Sequence, residues 1–256
     1  MFSKVLTTVL VLALLVGCSM PEQVDPTKDW SASQFYSEAQ TAMQDGDYDT
    51  AIKYFNGLQA RFPFGRYATQ AQIDIIYAHY KNGEPDSSIA AADRFIKLNP
   101  QSPLVDYAYY MKGLANYNRN QSLLSMILPT DPSERDAGAA LNSFNDFSEL
   151  VRRFPDSKYA ADAYQRMLYL RNNLSKYQIH IARYYMRRGA YLAAANRANR
   201  VVTQFQRTDA VEEALEIMID AYTRLGLTEL ARDAERVLAL NLENGRLKQP
   251  QSEASE

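Results

Sequence analysis

Residues 45–63 read DGDYDTAIKYFNGLQARFP, and the recurrence of this pattern along the chain decides the fold. Gly46 sits in a polar turn, where glycine takes at no steric cost the left-handed backbone that closes a helix. Five residues on stands a small side chain, Ala51, and the run ends at Phe62-Pro63, where proline cannot continue a helix. The pattern returns at Gly83, Gly189 and Gly226. Gly46 and Gly83 are 37 residues apart, and so are Gly189 and Gly226. Each glycine brings its neighbours with it. Ser88, Ala194 and Ala231 match Ala51, while Asn99-Pro100 and Phe205-Gln206 match the helix end at Phe62-Pro63. The unit is therefore helix, tight turn, helix, and a repeat of this length marks a solenoid that grows by stacking.

Working outward, a further unit lies between the two glycine pairs. Its first helix is expected at about residues 103–119 and its second at about 133–154, ending in Phe154-Pro155. Residues 120–132, NQSLLSMILPTDP, are an insertion within it. No breaker interrupts residues 158–188, which predicts one long helix opening the fourth unit; residues 209–225 and 228–240 make the fifth. In the first unit Phe35, Ala39, Ala51, Phe55 and Pro63 fall at the aromatic, small, small, aromatic and proline positions of the tetratricopeptide pattern. The expected fold is all-α: a tetratricopeptide-repeat superhelix of five helix pairs, ten helices, with a concave face suited to extended peptides or partner domains.

The first residues carry an address. Lys4 supplies a positive charge, and residues 5–16 are apolar apart from Thr7 and Thr8. Twelve residues are too few to cross a bilayer, which takes about 20. The junction Leu15-Val16-Gly17-Cys18 resembles the lipobox of bacterial lipoproteins. That resemblance implies cleavage before Cys18, a diacylglycerol on its thiol and an acyl chain on the new amine. The plainer reading of Cys18 is a small apolar residue ending the signal, but the chain's single cysteine stands at the position the motif requires. Ser19, where an aspartate would favour inner-membrane retention in known lipoproteins, implies the outer membrane. Residues 19–30 are polar, include Pro21 and Pro26, and read as a tether reaching roughly 40 Å at full stretch. The expected organisation is a signal peptide over 1–17, acylated Cys18 and tether over 18–30, repeats one to three over 31–157, repeats four and five over 158–241, and a polar tail over 242–256.

Charge and aromatics nominate two surfaces. From Ala163 to Thr208 there are nine basic residues (Arg166, Arg171, Lys176, Arg183, Arg187, Arg188, Arg197, Arg200 and Arg207) and no acid. From Asp209 onward eleven acidic residues face five basic ones. Such blocks are uncommon on an ordinary solvated surface. Either the acidic last helices neutralise the arginines internally, or part of the belt recognises acidic groups of a partner through bidentate pairs. A third reading is anionic lipid headgroups, which the tether keeps close. In the N-terminal half, Tyr67, Tyr77, Tyr80, Tyr107, Tyr109, Tyr110 and Tyr117 cluster on the first helices of the second and third units, which line the inner face in this fold. Helical spacing of aromatics usually means inter-helix packing; their number suggests that some also grip a partner's extended backbone. Leu123, Leu124, Met126, Ile127 and Leu128 of the insertion either fold back over the third repeat or form a docking patch.

Nothing in the sequence announces catalysis. His79 and His180 lie mid-helix about 100 residues apart, there is no Gly-rich phosphate loop or nucleophile elbow, and a lipidated Cys18 leaves no thiol. A net charge of −2 argues against a general nucleic-acid binder. No cofactor is expected beyond the acyl groups on Cys18.

Two segments are more specific than the repeat pattern. RFPFGRYATQA at 61–71 and RGAYLAAANR at 188–197 resemble the first inter-repeat segment and the fourth repeat of the BamD (ComL) family of outer-membrane assembly lipoproteins. The lipobox, the repeat count and the insertion in the third unit agree; the last repeat and tail match loosely. The resemblance implies a non-catalytic subunit of the machine that inserts β-barrel proteins into the outer membrane. It further implies that the C-terminal repeats dock on the POTRA domains of the barrel subunit BamA, with Arg197 the residue carried over and Arg188 and Arg200 beside it. The N-terminal groove, with Tyr67, Tyr77, Tyr80, Tyr107 and Tyr110, would take BamC or unfolded outer-membrane proteins. The alternative is a periplasmic tetratricopeptide lipoprotein that scaffolds peptidoglycan or cell-division enzymes.

Overall fold

The computed structural model describes residues 25–119 and 137–243. Cys18, the insertion at 120–132 and the tail beyond residue 243 lie outside the described residues. Ten helices follow one another: α1 (Ala32–Gln44), α2 (Tyr48–Arg61), α3 (Arg66–Lys81), α4 (Pro85–Leu98), α5 (Val105–Asn118), α6 (Ala137–Arg153), α7 (Ala160–Arg187), α8 (Tyr191–Gln204), α9 (Ala210–Arg224) and α10 (Thr228–Glu243). Among the described residues there is no strand. The long helix of the fourth unit is α7, with 28 residues.

The four repeat glycines do the same local job. Gly46, Gly83, Gly189 and Gly226 have φ of 77°, 74°, 70° and 71°. In each case the amide of the following residue donates to a carbonyl five positions back, as in Asp47 to Ala42 at 2.9 Å and Leu227 to Tyr222 at 2.9 Å. This satisfies carbonyls orphaned at the helix end and reverses the chain within three residues. Helix starts are chosen as locally: Ser31 Oγ accepts from the Gln34 amide at 3.2 Å and Asp47 Oδ1 from the Thr50 amide at 3.0 Å.

Packing then follows from residue size. Ala51, Ser88, Ala194 and Ala231 are buried where helices of a pair approach. The third repeat, which lacks the glycine register, uses Ser143. Its hydroxyl donates to the Gly113 carbonyl at 2.9 Å, as Ser88 does to the Ile76 carbonyl at 2.9 Å. Gly57 and Gly113 play a different part. A Cβ on Gly57 would lie 2.8 Å from a ring carbon of Phe35, and one on Gly113 would lie 2.5 Å from Phe147. Both rings fill the space the missing side chain leaves.

Each helix packs on the next, and α1 also touches α3, α3 touches α5 and α7 touches α9. First helices of successive pairs thus line one side of the solenoid, α5 and α7 meeting through Tyr110 and Asp162. Short turns make consecutive helices antiparallel, so the turns that lead from a second helix to the next first helix share one edge of the solenoid. The start of α1 lies on that edge too.

Candidate partner-binding surfaces

The N-terminal half of the inner wall is built of tyrosines that lock neighbouring repeats. Tyr36 on α1 donates to Asp74 on α3 at 2.8 Å, and Gln40 and Gln70 donate to the same carboxylate at 2.7 and 3.0 Å. Burial raises the pKa of Asp74 above the usual carboxylate value, although these donors oppose the shift. Tyr67 lies against Tyr36, with centroids 5.5 Å apart, and the Arg66 guanidinium lies 4.7 Å from the centre of its ring. Tyr77 and Tyr80 pack on the core of the second repeat, and Asn118 donates to the Tyr80 hydroxyl.

Further along, Tyr110 stacks on Tyr159 at 4.7 Å, and Tyr107 meets the same ring at 5.5 Å. The Tyr110 hydroxyl donates to Asp162 at 2.8 Å; burial, then this hydrogen bond, pushes its pKa up to about 12. Arg166 donates to the same carboxylate at 2.6 Å and covers Tyr117 at 5.1 Å. Tyr109 packs on Phe154 at 5.9 Å. All seven nominated tyrosines are half-buried. Packing accounts for one face of each ring, and what remains for a ligand is the wall's relief of ring edges and hydroxyls. Sequence reasoning missed Tyr36, Asp74, Tyr159 and Asp162, which complete this wall. Their signal is only that each lies on a first helix or, for Tyr159, at its N-cap, one repeat away from its partner.

The arginine belt divides. Arg183 pairs with Glu213 on α9, Arg166 pairs with Asp162, and Arg171 donates to the Gln206 carbonyl. Three acids of the last two helices are engaged with arginines of their own helix: Asp220 with Arg224, Glu229 with Arg232 and Asp233 with Arg236. Among the described residues Arg187, Arg188, Arg197 and Arg200 have no carboxylate within 4.0 Å. Arg187, Arg188 and Arg200 are exposed and Arg197 half-buried. Arg197 donates to Gln178 Oε1 at 3.3 Å, and Arg188 lies 5.4 Å over the Tyr184 ring. Ion pairs among the described residues therefore take only Arg166 and Arg183 of the belt, and Arg187, Arg188, Arg197 and Arg200 stand without a carboxylate on the α7–α8 hairpin.

Next to them a shallow cleft of about 350 Å³ is lined by Tyr177, His180, Ile181, Tyr184, Tyr185 and Arg187. A second cleft, of about 220 Å³, lies between α7 and α9 and includes Lys176, Arg183, Asp209 and Glu213. Basic heads beside the exposed ring of Tyr184 and the half-buried rings of Tyr177 and Tyr185 suit an acidic partner with apolar side chains. His79 is occupied otherwise, with Nδ1 2.6 Å from Glu84 at the α3–α4 turn.

The sequence matches the YfiO family, described as an outer membrane lipoprotein, over residues 28–237. It is 45% identical over 242 residues to the outer membrane protein assembly factor BamD of Neisseria meningitidis serogroup A, covering 93% of this chain and 91% of that one. The BamD of Vibrio cholerae is 39% identical over 238 residues, covering 93% of this chain and 98% of that one. Among solved structures, the MamA protein aligns over 88% of this chain and 98% of its own, with a TM-score of 0.39 and 16% identity. The chain belongs to the YfiO family of outer membrane lipoproteins, whose curated relatives are BamD assembly factors.

Proposed function

We propose that the protein is a non-catalytic scaffold subunit of the outer-membrane β-barrel assembly machine. Family membership across almost the whole chain supports the assembly role, since the relatives are named outer membrane protein assembly factors. The unpaired guanidinium groups of Arg188, Arg197 and Arg200 carry the finer reading: they dock the C-terminal repeats on acidic groups of the BamA POTRA domains. A guanidinium fork that meets a carboxylate in two parallel hydrogen bonds fixes orientation as well as contributing affinity. The N-terminal wall, with Tyr67, Tyr77, Tyr80, Tyr107 and Tyr110, receives extended segments of BamC or of unfolded outer-membrane proteins, its hydroxyls meeting their backbone groups. Acylated Cys18 holds the molecule to the periplasmic face of the outer membrane. No metal, cofactor or nucleic acid enters this function.

Depletion tests the proposal against a cell-wall scaffold. An assembly subunit loses β-barrel proteins from the outer membrane and raises periplasmic stress when depleted. Division or shape defects with porins intact would refute the assembly role.

A further inference from the structure

The N-terminal segment does not leave the solenoid at an arbitrary place. Arg61, at the end of α2, donates to the Thr27 carbonyl and pairs with Asp25. Trp30 sits edge-on to Phe35 and Tyr54, with centroids 5.1 and 5.0 Å away. The described chain therefore starts against the C-terminal end of α2. Three residues beyond Arg61 stands Phe64, 90% exposed on the turn into α3. The turn is closed by Gly65 at φ 100°, a backbone that side-chain-bearing residues avoid. No other large apolar residue among the described ones is so exposed.

The same edge continues to the end of α4, where Leu98 is 61% exposed beside exposed Lys97. Lys28 and Arg66 are exposed there as well; of the two acids among the described N-terminal residues, Asp25 is bound by Arg61 and Asp29 is exposed beside Lys28. A raised aromatic ring among cations, with an aliphatic neighbour, is chemistry for a phospholipid interface: ring among upper acyl carbons, cations at phosphates.

We infer that this edge of the first two repeats, led by Phe64, docks on the bilayer surface and sets the orientation of the solenoid. The inference rests on the acylated Cys18 proposed above. Asp25 follows Cys18 by seven residues, so at about 3.3–3.6 Å per residue it lies no more than about 25 Å from the anchor. Docking is then an intramolecular event at high effective concentration, in which a weak surface suffices. Acyl chain and docking edge together give two points of attachment, which fix a direction where one leaves rotation free.

The test uses the full-length acylated protein in vesicles of phosphatidylethanolamine and phosphatidylglycerol. With Cys18 blocked by its acyl group, a cysteine from Phe64→Cys or, on the opposite edge, Lys81→Cys takes an environment-sensitive fluorophore alone. Both sites are exposed, and circular dichroism verifies folding. The expected result is a blue shift at position 64, with quenching by nitroxide-labelled lipid, and neither effect at position 81. Solvent-like emission at both positions overturns the docking edge. So does a blue shift at 64 that appears only after the other assembly subunits are added, which would mean a protein pocket. Thiol labelling of the wild-type membrane form overturns the anchor as well, and so separates the two failures.

Discussion

Gly113→Ala is the sharpest test of how the third repeat is held together. Gly113 is buried on α5, under the ring of Phe147 from α6, which is itself fully buried. A Cβ there would meet Phe147 at 2.5, 2.6 and 2.9 Å, three contacts below any normal carbon–carbon approach. The ring has little room to retreat, because Tyr110 lies 6.1 Å away on the same α5 surface and the Ser143 hydroxyl ties α6 to the Gly113 carbonyl. Forcing a methyl group into a filled core costs about 1–3 kcal/mol. Against this, alanine in a helix interior gains roughly 0.5–1 kcal/mol over glycine. Three contacts under 3.0 Å put the overlap in the upper half of its range, so it is the larger effect and leaves the variant destabilised by about 1–2 kcal/mol. For a chain of this size each kcal/mol moves the melting temperature by about 2–4 °C, so thermal circular dichroism should show a fall of roughly 2–8 °C. Gly57→Ala is the internal comparison. Its Cβ would meet one Phe35 carbon at 2.8 Å and the next only at 3.5 Å, so its loss should be smaller. Shrinking the ring in Gly113→Ala/Phe147→Leu should recover part of the deficit. A Gly113→Ala protein that melts at or above the wild-type temperature would refute the packing argument, since propensity alone would then have decided.

Arg197→Glu should weaken association with the partner of the C-terminal repeats beyond the roughly 0.2–1 kcal/mol of an exposed charge pair, with unchanged melting; wild-type recovery in a BamA pull-down at moderate salt removes Arg197 from the interface. Asp74 has a folded pKa raised by burial, so its ionisation opposes folding: its contribution is most favourable at low pH and is lost as pH rises from the usual carboxylate range through the folded value. The stability difference between wild type and Asp74→Asn should therefore change across that window and be flat above it, and denaturant titrations showing no pH-dependent difference would contradict the buried assignment. Photo-crosslinkers at Tyr77 and Tyr110 should capture BamC or unfolded substrate, and silence at both positions counts against the tyrosine wall as a binding face.

Much of the fold was legible because its determinants are local. Glycine at a left-handed turn, a small residue five places on and a breaker at the end specify a hairpin of helices without knowledge of what lies elsewhere. The third repeat was harder, since its register glycine is missing and its small residue is Ser143. The tyrosines show where local reading stops. Spacing put them on first helices, yet could not say that Tyr110 would stack on Tyr159 or that Tyr36 would reach Asp74, residues 49 and 38 positions apart.

What the sequence determined by itself is the period, the capping and the content of each helix pair, together with a block of positive charge. These are properties of neighbours along the chain. Only the tertiary structure decided which arginines find carboxylates and which do not, how much of each tyrosine packing consumes, and that Phe64 stands clear on the edge where the chain enters. The reason is geometric. Stacking turns adjacent repeats into opposing surfaces, and the free valence of a side chain is whatever the neighbouring repeat leaves uncovered.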